Sequence, residues 1–274
     1  MLRLWRDQVR IALCPDRLVM VHSKAGLRPR MFAKQIHRYS ATESGWRAAL
    51  PVLQSALKNP DWKNADATLI ISNIFVRFLL LPWNEVSLTD AEKLSLLRHR
   101  FAEVYGEAST TWGLRLNEGS FGYPSLASAV DQDLLKQLKD IFETSTLRLR
   151  SVQPYLMAAF NVCRGDLGKD PAWFVLAESG VFCVALLNNG QWHSIRLRQA
   201  GSDWFDEALL VLEREMLLAD AGSESRKIFM YAPEVPVSSP IKRGKMVIHP
   251  LYPELRATLS RAEMSIYAMA AAGI

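Results

Sequence analysis

Apolar and polar residues alternate through Val9, Arg10, Ile11, Ala12 and Leu13, the two-residue period of a half-buried strand. Residues 8–13 are therefore predicted as a strand, and the similar runs 17–23 and 30–39 as two more, with Cys14-Pro15-Asp16 as the turn between the first pair. The period then changes. Trp46, Leu50, Leu53 and Leu57 recur at three and four residues, one apolar face of a helix over 43–57 that Pro60 ends. Residues 67–72 are almost continuously apolar, as in a strand covered on both faces.

A second block starts with a strand at 76–83, ending at Pro82. Thr89 followed by Glu92 has the spacing of a capping box, so a helix begins there. Its expected buried stripe is Leu94, Leu97, Phe101 and Val104, and Gly106 stops it. Residues 111–117 alternate like an edge strand, and Asp131 caps a helix with Leu134, Leu135, Leu138, Ile141 and Phe142 inward. A strand at 147–152 and a helix at 155–163, opened by Pro154, complete the block.

The polar stretch 165–170 is the expected boundary between two lobes, because the first pattern returns beyond it. Strands at 173–177, 181–187 and 192–197 are joined by Glu178-Ser179-Gly180 and by Asn188-Asn189-Gly190. The latter is a hairpin turn, since Asn and Gly tolerate positive φ. Ser202 or Asp203 caps a helix with Phe205, Leu209, Leu212 and Met216 inward; a strand at 227–231 and a helix at 261–271 follow. The order β-β-β-α-β-α thus occurs twice in an α/β chain. The expected lobes are 1–164, with an α/β insertion at about 74–150, and 165–274.

Composition narrows the class. With 49% hydrophobic and 22% charged residues the 274-residue chain is globular, large enough for one big domain or two lobes. No run reaches the roughly 18–20 apolar residues of a membrane span: 69–83 is broken by Asn73 and Arg77. Residues 1–10 are broken by Arg3, Arg6, Asp7 and Arg10, so no signal-peptide core is seen. Cys14, Cys163 and Cys183 are distant from one another and flanked by apolar residues, the pattern of reduced, buried thiols in a cytoplasmic protein.

Charge is unevenly distributed. Residues 1–50 hold ten basic residues against three acidic, +7, whereas the other 224 hold 23 against 25, −2. The plain reading is a solvated sheet face. A sharper one places Arg3, Arg6 and Arg10 against an anionic membrane surface, where each arginine contributes about 1 kcal/mol. Nucleic acid is not expected, for no aromatic-rich strand or Lys/Arg cluster accompanies the charge.

Catalytic motifs are scarce. There is no Gly-x-Gly-x-x-Gly, no phosphate loop ending in Gly-Lys-Ser/Thr and no Cys-x-x-Cys, and the five histidines lack metal-ligand spacing. Ser55-Ala56-Leu57-Lys58 matches Ser-x-x-Lys but lacks the accompanying Lys-Thr-Gly and sits on an ordinary helix. Asp203, Asp206 and Glu207 occupy a helix's first turn, where carboxylates favour the dipole.

The duplicated order resembles the actin-like ATPase superfamily, a two-lobed actin-like (RNase H-like) fold. Residues 71–83, with Asn73, Arg77 and Pro82, followed by the acid-bearing helix from Thr89 to Tyr105, are similar to a segment of PilM-type proteins of type IV pilus assembly, MSHA-pilus and DNA-uptake relatives included. Gln153-Pro154-Tyr155 and the following Ala158-Ala159-Phe160 resemble the segment before the second lobe. The cytoplasmic part of the type II secretion L protein looks alike too.

That resemblance implies nucleotide-binding loops that this chain does not keep. Where an Asp-x-Gly is expected after the first strand, Ala12-Leu13-Cys14-Pro15 stands. The second phosphate loop reads Ala177-Glu178-Ser179-Gly180, one glycine with a displaced acid, and Tyr231-Ala232-Pro233-Glu234 replaces the paired glycines of the adenosine loop. ATP turnover is thus expected to be lost and no cofactor is expected, with ATP itself doubtful; Glu178, Ser179 and Gly180 are the residues for any remnant nucleotide contact. The resemblance implies a non-catalytic scaffold on the inner membrane's cytoplasmic face. Its partner would be the cytoplasmic tail of a single-span inner-membrane protein, with an assembly ATPase as a further partner. Arg77, Phe78 and Trp83 are the expected contact patch. The alternatives are an active nucleotide-dependent enzyme with Glu178 serving the metal, and a free-standing binding module.

Overall fold

The structure is a computed structural model that describes residues 6–24, 30–40, 45–62, 65–85, 88–219, 227–235, 239–252 and 259–272. Strands β1 (Gln8–Leu13), β2 (Arg17–Lys24) and β3 (Arg30–Arg38) form an antiparallel meander. Helix α1 (Ala49–Ala56), preceded by a 3-10 turn at Gly45–Ala48, leads to β4 (Asp66–Ile71), which pairs with β1 in parallel. The helix is shorter than the 43–57 expected, and residues 41–44 lie outside the described residues. A fifth strand, β8 (Arg148–Pro154), pairs in parallel with β4 and gives the order β3-β2-β1-β4-β8.

The second half repeats that order. Strands β9 (Ala172–Glu178), β10 (Val181–Asn188) and β11 (Gln191–Gln199) form a meander, and α5 (Trp204–Leu218) connects it to β12 (Lys227–Tyr231), parallel to β9. Asn189 and Gly190 have φ of 52° and 71°, as the β10–β11 turn required. A hairpin not anticipated from the sequence, β13 (Ile241–Arg243) and β14 (Met246–Pro250), extends the sheet to β11-β10-β9-β12-β14-β13. Both sheets are thus three antiparallel strands continued by two parallel ones, and in the second β13 adds an antiparallel edge.

Between β4 and β8 the chain builds a small third sheet, β5 (Val76–Leu81), β6 (Trp112–Asn117) and β7 (Ser125–Asp131), in the order β5-β7-β6. Helix α2 (Asp90–Tyr105) covers one face: Leu97 and Phe101 pack with Leu81, Ala127 and Ala129. Its capping box forms as expected: Glu92 N donates to Thr89 Oγ1 at 3.3 Å and Thr89 N to Glu92 Oε2 at 2.8 Å. Half of the expected stripe is not buried, since Leu94 is 39% and Val104 57% exposed. A three-stranded sheet is too narrow to cover four turns of helix. Helix α3 (Gln132–Glu143) follows β7 and packs on β6, β7 and β8; a Cβ at Gly113 would stand 3.0 Å from Leu135 Cδ1. The added sheet therefore spans 76–131, narrower than 74–150, because β8 belongs to the first sheet.

Helix α4 (Tyr155–Leu167) runs past the expected boundary at 165–170, because Leu167 still reaches the core and Gly168, at φ 68°, makes the stop. The second meander alternates strictly. Phe174, Leu176, Cys183 and Ala185 join the core shared with the first sheet, while Trp173, Val175, Phe182 and Val184 pack under α5. The last helix, α6 (Arg261–Ala271), returns to pack on β1, β2 and α4. The lobes are therefore joined through one continuous core.

Candidate functional site

The turn after β1, the end of β4 and the β9–β10 turn converge between the lobes. Ser72 N donates to Leu13 O at 3.0 Å, which sets the β4 end beside the β1 turn. From there the 3-10 turn Asn73–Phe75 presents Asn73 N to Glu178 Oε1 at 2.9 Å. Asn73, 1% exposed, is itself fixed because its Oδ1 accepts from Leu156 N, in the first turn of α4, at 2.9 Å. Next to Glu178, Gly180 at φ 82° places its backbone so that an added Cβ would lie 3.8 Å from Ile74 Cδ1.

Two further contacts cross the same space. Arg17 Nη2 donates to Glu234 Oε1, in the loop after β12, while Arg17 Nη1 also holds Asp16 Oδ1 at 3.2 Å. Cys14 Sγ lies 3.6 Å from Met269 Sδ of α6, and Tyr39 Oη donates to Cys14 O. Burial pushes the Glu178 carboxyl up to about 7 although hydrogen bonds from Ser72 and Asn73 favour its charged form; the nearby Glu234 charge adds to the rise. Burial pushes the Cys14, Cys163 and Cys183 thiols up as well, so none is an activated thiolate. Among the described residues no three His, Cys, Asp or Glu side chains converge as a metal-binding group.

The expected contact patch divides. Arg77 Nη1 donates to its own loop, to Ile74 O at 3.0 Å and Val76 O at 3.1 Å, and Phe78 is core at 7% exposure. Trp83 is different. It is 36% exposed, meets the 87%-exposed Phe121 edge to face at 4.8 Å between centroids, and lines a groove of about 220 Å³. Leu81, Leu88, Leu96 and Leu116 form its apolar wall, and the Lys93–Glu118 ion pair, 2.7 Å, closes its rim.

Of the arginines expected to face a membrane, Arg3 lies outside the described residues. Arg10 is turned inward: its Nη1 donates to Ala272 O, just past the end of α6, at 2.7 Å. Arg6 is 55% exposed and stands 3.9 Å from Asp66. Sequence reasoning missed Arg17 and Asn73 as site residues and placed Glu234 only as the end of the altered adenosine loop; Asn73 carried a signal as a polar interruption of an apolar run.

No family model and no curated protein matches the chain. Solved structures do. The chain superposes on the PilM-PilN type IV pilus biogenesis complex with TM-score 0.64 and 12% identity, covering 96% of this chain and 93% of that one. A protein with actin-like ATPase fold and unknown function from Bacteroides thetaiotaomicron gives 0.57 at 11% identity, covering 84% of each. The cytoplasmic domain of EpsL, an inner membrane component of the Vibrio cholerae type II secretion system, gives 0.51 at 10%, covering 94% of this chain and 92% of that one. The fold is actin-like.

In an actin-like fold the two meander turns and the loop after β12 are the expected phosphate and adenosine contacts. In this chain that space carries contacts of its own. Pro15 offers no N–H, Arg17 and Glu234 bridge the space, and the second turn's carboxylate is bonded to the opposite lobe.

Proposed function

We propose that this actin-like chain is a non-catalytic scaffold of a type IV pilus or type II secretion-like assembly. It would work on the cytoplasmic side of the inner membrane and bind the cytoplasmic tail of a single-span membrane protein. The observation that carries the reading is the latch between the lobes, formed by Arg17–Glu234 and Asn73–Glu178, which occupies the position where an actin-like enzyme would hold phosphates. The shared fold with PilM-PilN and with the EpsL cytoplasmic domain supports the setting. The Trp83 groove, beside the exposed Phe121, offers the tail an apolar anchor of the kind that dominates small interfaces.

The tagged chain should recover a single-span protein from detergent-solubilised inner membrane, and a synthetic peptide of that protein's cytoplasmic tail should bind the purified chain by calorimetry. Trp83→Ala should weaken the peptide at least tenfold. Equal binding by wild type and Trp83→Ala removes the groove from the proposal, and failure of every such tail peptide to bind removes the scaffold reading.

A further inference from the structure

At the far end of the first sheet from the latch, about 20 Å along six strand residues, three arginines surround one acid. Asp66, at the start of β4, has a side chain only 12% exposed. It accepts from Arg148 Nε at 3.0 Å and Nη2 at 2.8 Å, and from Arg150 Nε at 2.8 Å; Arg6 Nη1 stands 3.9 Å away. Burial would raise the Asp66 carboxyl, but the hydrogen bonds and charges of Arg150 and Arg148 outweigh it and hold it below the ordinary value. One carboxylate thus faces three guanidiniums, each 42–55% exposed. The neighbouring Asp7 carboxylate is engaged by His22 Nε2 at 3.1 Å.

A single bidentate arginine would satisfy Asp66 and fix the β4–β8 register. The second and third bring like charges together. Arg150 is there through a specific device: the β4–β8 pairing skips it, with Ala67 opposite Leu149 and Thr68 opposite Ser151, so it is the bulged residue. Bulges re-aim side chains, and this one turns Arg150 onto Asp66. Both Nη groups of Arg150 and Nη1 of Arg148 make no bond to any described residue. Fixed forks with unused N–H groups match a tetrahedral oxyanion.

We infer that Arg6, Arg148 and Arg150, held by Asp66, form a binding site for a phosphate group. The site is distinct from the nucleotide position of the fold and does not depend on the scaffold reading. A phospholipid headgroup or a soluble phosphate would present the same chemistry.

Two arms separate these sources: calorimetric titration of the full chain with inorganic phosphate at low ionic strength, and sedimentation with phosphatidylglycerol against phosphatidylcholine vesicles. Arg148→Gln and Arg150→Gln should each weaken phosphate about fivefold, whereas Arg100→Gln, on exposed α2, should not. Asp66→Asn decides between an organised site and bare charge. It raises the local charge yet frees the forks, so it should bind less, while simple attraction makes it bind more. If it unfolds early, Arg150→Lys carries the decision: it keeps the charge and loses the fork, so an organised site binds less and bare charge binds equally. Arginine-dependent binding to both probes assigns the site to lipid, and binding to phosphate alone assigns it to a soluble ligand. Binding insensitive to Arg148 and Arg150, tighter binding by Asp66→Asn, or equal binding of polyglutamate overturns the proposal.

Discussion

Asn73 does two things at once: its backbone N–H anchors Glu178 of the opposite lobe and its side-chain oxygen caps α4. Removing the side chain strands the buried Leu156 N–H, so Asn73→Ala should lose about 1–3 kcal/mol in urea unfolding. Glu178 gives a pH signature. Its carboxyl is raised from 4.5 to about 7, so its share of stability is complete below pH 4.5 and is lost as pH rises through 7. Glu178→Gln stays neutral and should escape that loss. Between pH 5 and 8 the wild type should fall relative to the variant by on the order of 3 kcal/mol, and parallel curves would contradict the burial of this group. Asn73 could be noticed in the sequence because it interrupts apolar residues. The pairing of Arg17 with Glu234 could not, as the two are 217 residues apart.

Most elements follow from the spacing of apolar residues, and the misses have physical causes. β7 (Ser125–Asp131) holds mostly small residues, Ser125, Ala127, Ser128 and Ala129, with weak strand preference, and forms because β5 and β6 pair on both sides of it. β13 and β14 are joined by the two-residue turn Gly244-Lys245, and with three and five residues they are too short to show a period. In α2 a four-residue stripe was legible, but the width of the sheet beneath it was not, and that width decides which positions are buried. Phe101, fully buried, should cost about 3–5 kcal/mol when changed to Ala. Val104→Ser, at 57% exposure, should stay within about 0.5 kcal/mol by the same thermal or urea measurement.

For the molecule as a whole, the duplication was legible as an order of elements, and both sheets keep it. How the lobes close on each other was not, because that depends on contacts between distant segments: Arg17 with Glu234, Lys34 with Glu263 at 2.6 Å, and Arg10 with the carbonyl of Ala272. The +7 of the first fifty residues looked like one basic edge. In the folded chain part of it serves these internal contacts, and Arg6 joins a cluster completed by Arg148 and Arg150. A charge swap tests the latch: Arg17→Glu and Glu234→Arg should each destabilise, and together recover about 1 kcal/mol of coupling. The most direct test of a non-catalytic cleft is the melting temperature in millimolar Mg-ATP. A latched cleft gives no shift. A ligand at one hundred times its Kd would stabilise the fold by about 2.7 kcal/mol, and a rise of several degrees that disappears in Glu178→Ala would contradict the pseudo-ATPase reading.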